Sequence, residues 1–212
     1  TLRAAARFYI SEALFSGTTT LIDHHESPLF LEGSLDVLAD ACDELGMRAL
    51  LCYGATERNG GLEEGKRGLE ECRRFVGTNS RQRIRGMVGL HASFTVSDET
   101  IVAAGELCRE LGTSLHVHLA EDLADVRDAK ERGFAGPFER LYLLGALRPG
   151  SILAHGVHLS PAMVEKACEE GCWLVHNPRS NEANEVGYAG VLGAGSTKYG
   201  KLYRVFFMGS RT

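Results

Sequence analysis

Short apolar runs alternate with amphipathic stretches along most of the chain. Several of the runs are almost continuously apolar, which is typical of strands covered on both faces in a parallel sheet. Between them, apolar residues recur at helical spacing, and a helix of about Leu2–Ser16 precedes the first strand. The repeated βα units predict an α/β fold with a parallel sheet, either open or closed into a barrel. The runs that predict strands are Thr19–Asp23, Arg48–Tyr53, Ile84–Leu90, Ser114–Leu119, Ser151–Ala154 and Cys172–His176.

The eight histidines fall mainly at the carboxyl ends of the predicted strands. In a parallel sheet these ends share one edge, which is where barrels and open α/β sheets place their sites. A single histidine at a strand end is more commonly structural, but structural histidines have no reason to select one edge. The pattern therefore predicts a functional rim. Its histidines are His24, His25, His91, His118, His155, His158 and His176, and only His116 lies inside a predicted strand.

The stretch "SLHVHLAED" carries the densest candidate chemistry. Strand alternation places His116 and His118 on one face, and Glu121 follows just past the strand end. A carboxyl group beside imidazoles is suited to acid–base or metal chemistry. Taken alone, Glu121 is more typical of a solvated acid beside Asp122 and Asp125 at a helix start.

Composition narrows the function classes. A net charge of −5 argues against a nucleic-acid partner, which needs a basic face. No apolar run approaches a membrane span, and no basic-then-apolar leader opens the chain. Neither GxGxxG nor a P-loop occurs. The six cysteines are scattered without a CxxC pair, which favours a reduced, cytoplasmic protein.

Five motifs occur in order along the chain: "SGTTTLIDHH", "GLHASFTVSDE", "HVHLAED", "LAHGVHLS" and "VHNPRSN". Together they resemble the chlorohydrolase and aminohydrolase (deaminase) branch of the amidohydrolase superfamily. Within it, "DHHESP" and "GLHASFTVSDET" are most similar to aminohydrolases associated with selenium-dependent purine metabolism genes. The resemblance covers residues 1–189. It implies that residues 1–212 form a single, incomplete (β/α)8 TIM barrel of the metal-dependent hydrolase type. We expect about strands two to seven, with a degenerate strand eight in a divergent tail at 190–212.

The resemblance also implies a site that holds a divalent metal, usually zinc or iron. The metal activates a water molecule for attack on a ring carbon that bears an amine. In this implied site His118 is a metal ligand, and Glu121 protonates a ring nitrogen and moves the proton of the water. His155 orients hydroxide and substrate, or ligates metal. The residues implied to contact substrate are His91, Asn177 and Ser180.

We therefore expect an aminohydrolase that cleaves a non-peptide C–N bond of a small N-heterocycle, in a homo-oligomeric parent protein. Two alternatives stay open: a ring-amide hydrolase or chlorohydrolase on the same scaffold, and a non-catalytic barrel that only binds a ligand. His116 and His158 are expected to support the site or the core. His24 and His25 either border the site or support the rim.

Two parts of the implied metal site are missing from the sequence. The family needs an HxH pair from strand one, and the one HxH here, His116–His118, belongs to a later strand. The family also needs an aspartate from strand eight, and no aspartate follows Asp128. Because the chain begins at Thr1 and ends without this acid, we expect a partial sequence, with a reading-frame error as one explanation of the tail. The isolated chain should bind metal weakly and turn over little substrate.

Overall fold

The computed structural model describes residues 1–189 and the backbone of Leu202 and Tyr203. Helices and strands alternate along most of this range. The helices are α1 (Leu2–Phe15), α2 (Ser34–Glu44), α3 (Leu62–Thr78), α4 (Asp98–Leu111), α5 (Leu123–Glu131), α6 (Pro137–Leu143), α7 (Pro161–Glu169) and α8 (Pro178–Ala183). The strands are β1 (Thr20–His25), β2 (Arg48–Ala55), β3 (Ile84–Gly86), β4 (Val88–Ala92), β5 (Leu115–Leu119), β6 (Ile152–His155), β7 (Trp173–Val175) and β8 (Leu202–Tyr203).

The strands form one parallel sheet in the order β1-β2-β4-β5-β6-β7-β8, with β3 paired to β2. The predicted run Ile84–Leu90 is therefore split in two: β3 pairs with the start of β2, and β4 pairs with its end. The first strand also extends further than the sequence predicts. Its register with β2 continues to the pair His25↔Tyr53, so both histidines of "DHH" lie within β1. The predicted tail at 190–212 lies outside the described residues except for β8.

The sheet is strongly curled. β1 and β5 are three steps apart in the strand order, so a flat sheet would separate them by roughly 14 Å. The ring of His24 on β1 nevertheless lies 4.7 Å from that of His116 and 4.4 Å from that of His118, both on β5. The inner face of the sheet is therefore concave and gathers these side chains.

Helix boundaries follow ordinary capping chemistry. Ser97 and Ser160 are the N-cap residues of α4 and α7. The side-chain oxygen of each serine accepts a hydrogen bond from the backbone N–H three residues ahead. Pro161 occupies the first turn of α7, where its missing N–H and fixed φ suit a helix start. Gly112 ends α4 in the left-handed conformation, with φ of 62°. Within residues 1–189, no helix combines the length and apolar character that a membrane span requires.

The glycine at position 105 allows α4 to approach the chain beyond α6. A Cβ atom there would lie 2.4 Å from the carbonyl oxygen of Gly145 and 2.9 Å from its carbonyl carbon, both rigid backbone atoms. We expect Gly105→Ala to lower the free energy of unfolding by about 2 kcal/mol through overpacking. Urea denaturation measures this.

Gly77 on α3 is the matched control, because a Cβ there meets nothing within 4 Å. Gly77→Ala should raise the free energy of unfolding by about 0.5–1 kcal/mol through helix propensity. Equal effects of the two substitutions would contradict the packing argument.

Candidate metal and catalytic site

Three side chains from adjacent strand ends converge at the carboxyl edge of the sheet. His118 lies near the end of β5, His155 ends β6, and Glu121 lies in the turn after β5. His155 Nε2 is 3.1 Å from His118 Nδ1 and 3.5 Å from Glu121 Oε2. All three ligand-type atoms lie within 4.8 Å of one another.

Further imidazoles surround His118. Its ring centroid lies 5.0 Å from that of His155 and 5.6 Å from that of His91 on β4. His24 packs against the same ring, and its Nε2 lies 3.0 Å from the carbonyl oxygen of Leu90. Four of the seven histidines that the sequence predicts at the rim, His24, His91, His118 and His155, therefore form one cluster.

Burial disfavours the charged form of three of these imidazoles, those of His118, His24 and His91. It lowers the pKa of His118 well below its ordinary value, and charges on neighbouring histidines lower it further. Burial lowers the pKa of His24 to about 4 and that of His91 to about 3. Neutral imidazoles carry a lone pair on one nitrogen, which is the form that binds metal.

His155 is held from the side opposite His118. Its Nδ1 lies 2.7 Å from Oδ1 of Asn181, a fully buried residue on α8. The side-chain nitrogen of Asn177 lies 3.5 Å from His155 Nε2. His155 itself has φ of 74°, a left-handed conformation that is uncommon for a residue with a Cβ.

The turn that carries Glu121 is also constrained. Ala120 adopts φ of 49°, and its N–H donates to Asp125 Oδ2 at 2.8 Å. Phe94 N–H donates to the other oxygen of Asp125 at 3.1 Å. From the far side, Asn184 Nδ2 donates to Glu121 Oε1 at 2.9 Å. The second carboxylate oxygen is thereby left facing His155.

Asp125 should give the chain a pH-dependent stability. Burial raises the pKa of its carboxyl from an ordinary 3.8 to about 6, although the N–H donors of Ala120 and Phe94 oppose the shift. Because the folded-state pKa is the higher one, this group stabilises the fold below about pH 4, and the contribution is lost as pH rises through about 6. A pKa raised from 3.8 to about 6 corresponds to about 3 kcal/mol in the free energy of unfolding.

The measurement is urea denaturation of the chain and of Asp125→Asn between about pH 4 and pH 7. We expect the stability difference between the two proteins to change by about 3 kcal/mol across this range, in favour of the variant as pH rises. The constant offset from lost hydrogen bonds does not matter, because only the change with pH reports titration. A difference that is flat with pH would contradict the prediction.

Most of the residues implied by the sequence lie in the cluster, but not all. His91, His118, Glu121, His155 and Asn177 are linked by the contacts above. Ser180 is exposed on α8, whereas the five residues of the cluster are buried or half-buried. His25 points to the opposite face of β1 from His24, with its Nε2 2.8 Å from Ser27 Oγ. The backbone N–H of His158 donates to the carbonyl oxygen of Ala120 in the turn that carries Glu121.

The sequence does not predict the contacts that Asn181 makes with His155 and Asn184 makes with Glu121. Asn181 is the last residue of the "VHNPRSN" motif, in which only Asn177 and Ser180 are singled out, and Asn184 lies three residues beyond it. Their partners lie 26 and 63 residues away in sequence. Strand and helix periodicity carries no information about such contacts.

The residues fit a divalent cation. Two ligand atoms each about 2.1 Å from a tetrahedral zinc ion lie about 3.4 Å apart. The observed separations of 3.1 Å and 3.5 Å around His155 Nε2 are close to this value. Imidazole nitrogen and carboxylate oxygen are both ordinary zinc ligands.

This combination of fold and site defines a class of protein. A curled parallel α/β sheet that gathers imidazoles and a carboxylate at the carboxyl ends of its strands is typical of barrel hydrolases. The chain belongs to the amidohydrolase family, whose family model matches residues 1–211.

The curated relatives it resembles are deaminases. The chain is 31% identical over 175 residues to a 5-methylthioadenosine/S-adenosylhomocysteine deaminase of Thermococcus sibiricus, covering 80% of this chain and 39% of the relative. It is 31% identical over 194 residues to an 8-oxoguanine deaminase of Pseudomonas aeruginosa, covering 85% of this chain and 43% of the relative. The chain thus spans about two fifths of the length of these relatives.

Solved structures confirm the fold. The chain superposes with a TM-score of 0.78 on a zinc-bound adenosine deaminase from Xanthomonas campestris, at 23% identity over 91% of this chain and 43% of that one. The TM-score is 0.81 for a zinc complex of atrazine chlorohydrolase from Arthrobacter aurescens, at 20% identity over 97% of this chain and 48% of that one. The expected incomplete TIM barrel is confirmed.

Proposed function

We propose that this chain is the central portion of a metal-dependent aminohydrolase that deaminates a small N-heterocycle. The convergence of His118, Glu121 and His155 is the observation that carries the proposal. The deaminase names of the curated relatives support an amine-bearing heterocycle, with a purine or purine nucleoside as the first candidate. The motifs "DHHESP" and "GLHASFTVSDET" support the narrower link to selenium-dependent purine metabolism.

In this proposal His118 and His155 hold the metal, with zinc expected and iron as the alternative. When bound, such an ion lowers the pKa of a coordinated water to about 7, which makes hydroxide available at neutral pH. His155 also orients the substrate, because its Nε2 faces the space that His118 and Glu121 share.

Glu121 is the proton carrier. Its carboxylate lies within reach of the imidazoles, and Asn184 holds one oxygen so that the other points inward. It takes a proton from the attacking water and delivers it to a ring nitrogen, which gives a tetrahedral carbon bearing hydroxyl and amine. It then moves the remaining hydroxyl proton to the amine, which leaves as ammonia as the C=O bond forms. His91, Asn177 and Ser180 bind the substrate, and of these His91 and Asn177 contact the histidine cluster directly.

The isolated chain offers fewer ligands than a catalytic zinc site requires. Such a site has three protein ligands and a water molecule, whereas two imidazoles are proposed here. We therefore propose weak metal binding and little turnover for the 212 residues alone, and full activity in a longer parent protein that is homo-oligomeric and uses no nucleic acid or membrane as partner. The six free thiols support a cytoplasmic location.

The test is ammonia release by the purified parent protein from aminated purines, nucleosides, pyrimidines, pterins and triazines. We expect release that stops after chelation and returns when zinc or ferrous ion is added back. Release of chloride or opening of a ring amide, without ammonia release, would overturn the assignment in favour of the other hydrolases. A protein that binds these ligands without turnover would support the non-catalytic alternative instead.

A further inference from the structure

Two asparagines, one helical turn apart, reach the two central side chains of the site. Asn181 lies on α8, and Asn184 is the capping residue just after its last residue. Their spacing of three residues places both on the same side of the helix. Asn181 contacts His155, and Asn184 contacts Glu121. We call these two residues the asparagine pair.

The contact from Asn181 determines which nitrogen of His155 carries the proton. Oδ1 of Asn181 lies 2.7 Å from Nδ1 of His155, and because an amide oxygen only accepts hydrogen bonds, this orientation of the amide makes Nδ1 the donor. A neutral imidazole has one N–H, which leaves a lone pair on Nε2. This lone pair faces His118 Nδ1 at 3.1 Å.

A further contact agrees with this tautomer. The side-chain N–H of Asn177 points to the same Nε2 from 3.5 Å, and an amide N–H needs a lone pair there. His155 is also held in a left-handed backbone conformation, with φ of 74°, which persists only where the surroundings fix the residue. Asn181 has no exposed surface, so its oxygen has no water to compete with His155.

We propose that the asparagine pair positions both halves of the site from one short helix. Asn181 fixes the tautomer of His155 so that its Nε2 is the free lone pair. Asn184 fixes Glu121 so that Oε2, rather than Oε1, faces the histidines. The two are positioning residues, and their effect on turnover rests on the proposed function, whereas the tautomer of His155 does not.

The tautomer is tested by nitrogen NMR of the 212-residue chain with ¹⁵N-labelled histidine. His155→Gln identifies the signals of His155 by their loss. We expect wild-type His155 to be protonated at Nδ1 and unprotonated at Nε2. Asn181→Asp, which keeps an acceptor oxygen, should retain this pattern, and Asn181→Leu should shift His155 towards the Nε2–H form.

Either of two results would overturn the role of Asn181. One is a wild-type His155 protonated at Nε2. The other is an unchanged tautomer in Asn181→Leu that keeps a dispersed, folded amide spectrum. If Asn181→Leu does not fold, the wild-type and Asn181→Asp spectra still decide the question.

The proposed role of Asn184 in positioning Glu121 is tested in the parent protein. Asn184→Ala removes the donor and should lower kcat about tenfold while KM stays within about twofold, by analogy with the 10–100-fold effects of residues that orient site ligands. Asn184→Ser, which keeps a donor, should recover part of kcat. Glu182→Ala on the exposed side of α8 is the matched control and should change neither constant.

A loss of kcat in Asn184→Ala no greater than in Glu182→Ala would overturn the role of Asn184. The two arms also separate this inference from the proposed function. A parent protein that releases no ammonia contradicts the function but leaves the tautomer result intact. An active parent protein with the wrong His155 tautomer contradicts only the role of Asn181.

Discussion

Replacing Glu121 with Gln in the parent protein is expected to lower kcat by a factor of about 10²–10⁴, the usual range for a general acid–base group. Glutamine has nearly the same shape, and its oxygen can still accept the N–H of Asn184. It cannot take a proton from water and return it to a ring nitrogen. The measurement is the steady-state rate of ammonia release, with metal content determined on the same sample.

Asp122 provides a matched control, because it is the neighbouring carboxylate. It is exposed and caps α5 by accepting the N–H of Ala124 at 2.7 Å. Asparagine is an equally good capping residue, so Asp122→Asn should leave kcat within about twofold. If Glu121→Gln keeps more than about one tenth of the wild-type kcat with its metal bound, Glu121 is not the proton carrier. The binding-only alternative predicts no effect of either change on ligand affinity.

The sheet and the rim of the site are predictable from sequence because they depend on local pattern. A parallel strand covered on both faces is recognisable as an apolar run, and strand polarity alone sends all carboxyl ends to one edge. His118 and His155 are therefore expected to meet before any coordinates are known. The split between β3 and β4 is not predictable in this way, because it depends on which part of β2 each segment pairs with.

The closeness of His24 to the site is a second feature beyond local pattern. Alternation assigns it a face of β1, but only the curl of the sheet brings that face to within 4.4 Å of the His118 ring. Gly54 makes room for it, since a Cβ at that position would lie 2.3 Å from His24 Cε1. The same limit applies to Asn181 and Asn184. Their partners are set by how α8 packs after β7, which residue spacing does not encode.

Two arginines contact Asp128 in the described part of the chain, Arg132 and Arg140. Substitution of Arg140 should lower the free energy of unfolding more than substitution of Arg132. The side chain of Arg140 is fully buried on α6, and it donates to the carbonyl oxygens of Ser93 and Val96 and to the carboxylates of Asp98 and Asp128. It thereby connects α6 to the segment that directly follows β4, the strand that carries His91. We expect Arg140→Met to lower the free energy of unfolding by about 3–5 kcal/mol, because removing one partner strands buried polar groups.

The measurement is urea denaturation of the chain, in which the midpoint should fall while the slope stays constant. Arg132→Met is the matched control: Arg132 contacts the same Asp128 at 2.8 Å, but from an exposed position. Exposed ion pairs contribute at most about 1 kcal/mol, so this variant should stay close to wild type. Arg140→Lys should fall between the two, since an ammonium keeps the charge but not the planar fork of five donors. If Arg140→Met and Arg132→Met destabilise equally, the charge on Asp128 is the relevant quantity. The buried hydrogen bonds to Ser93 and Val96 would then contribute little.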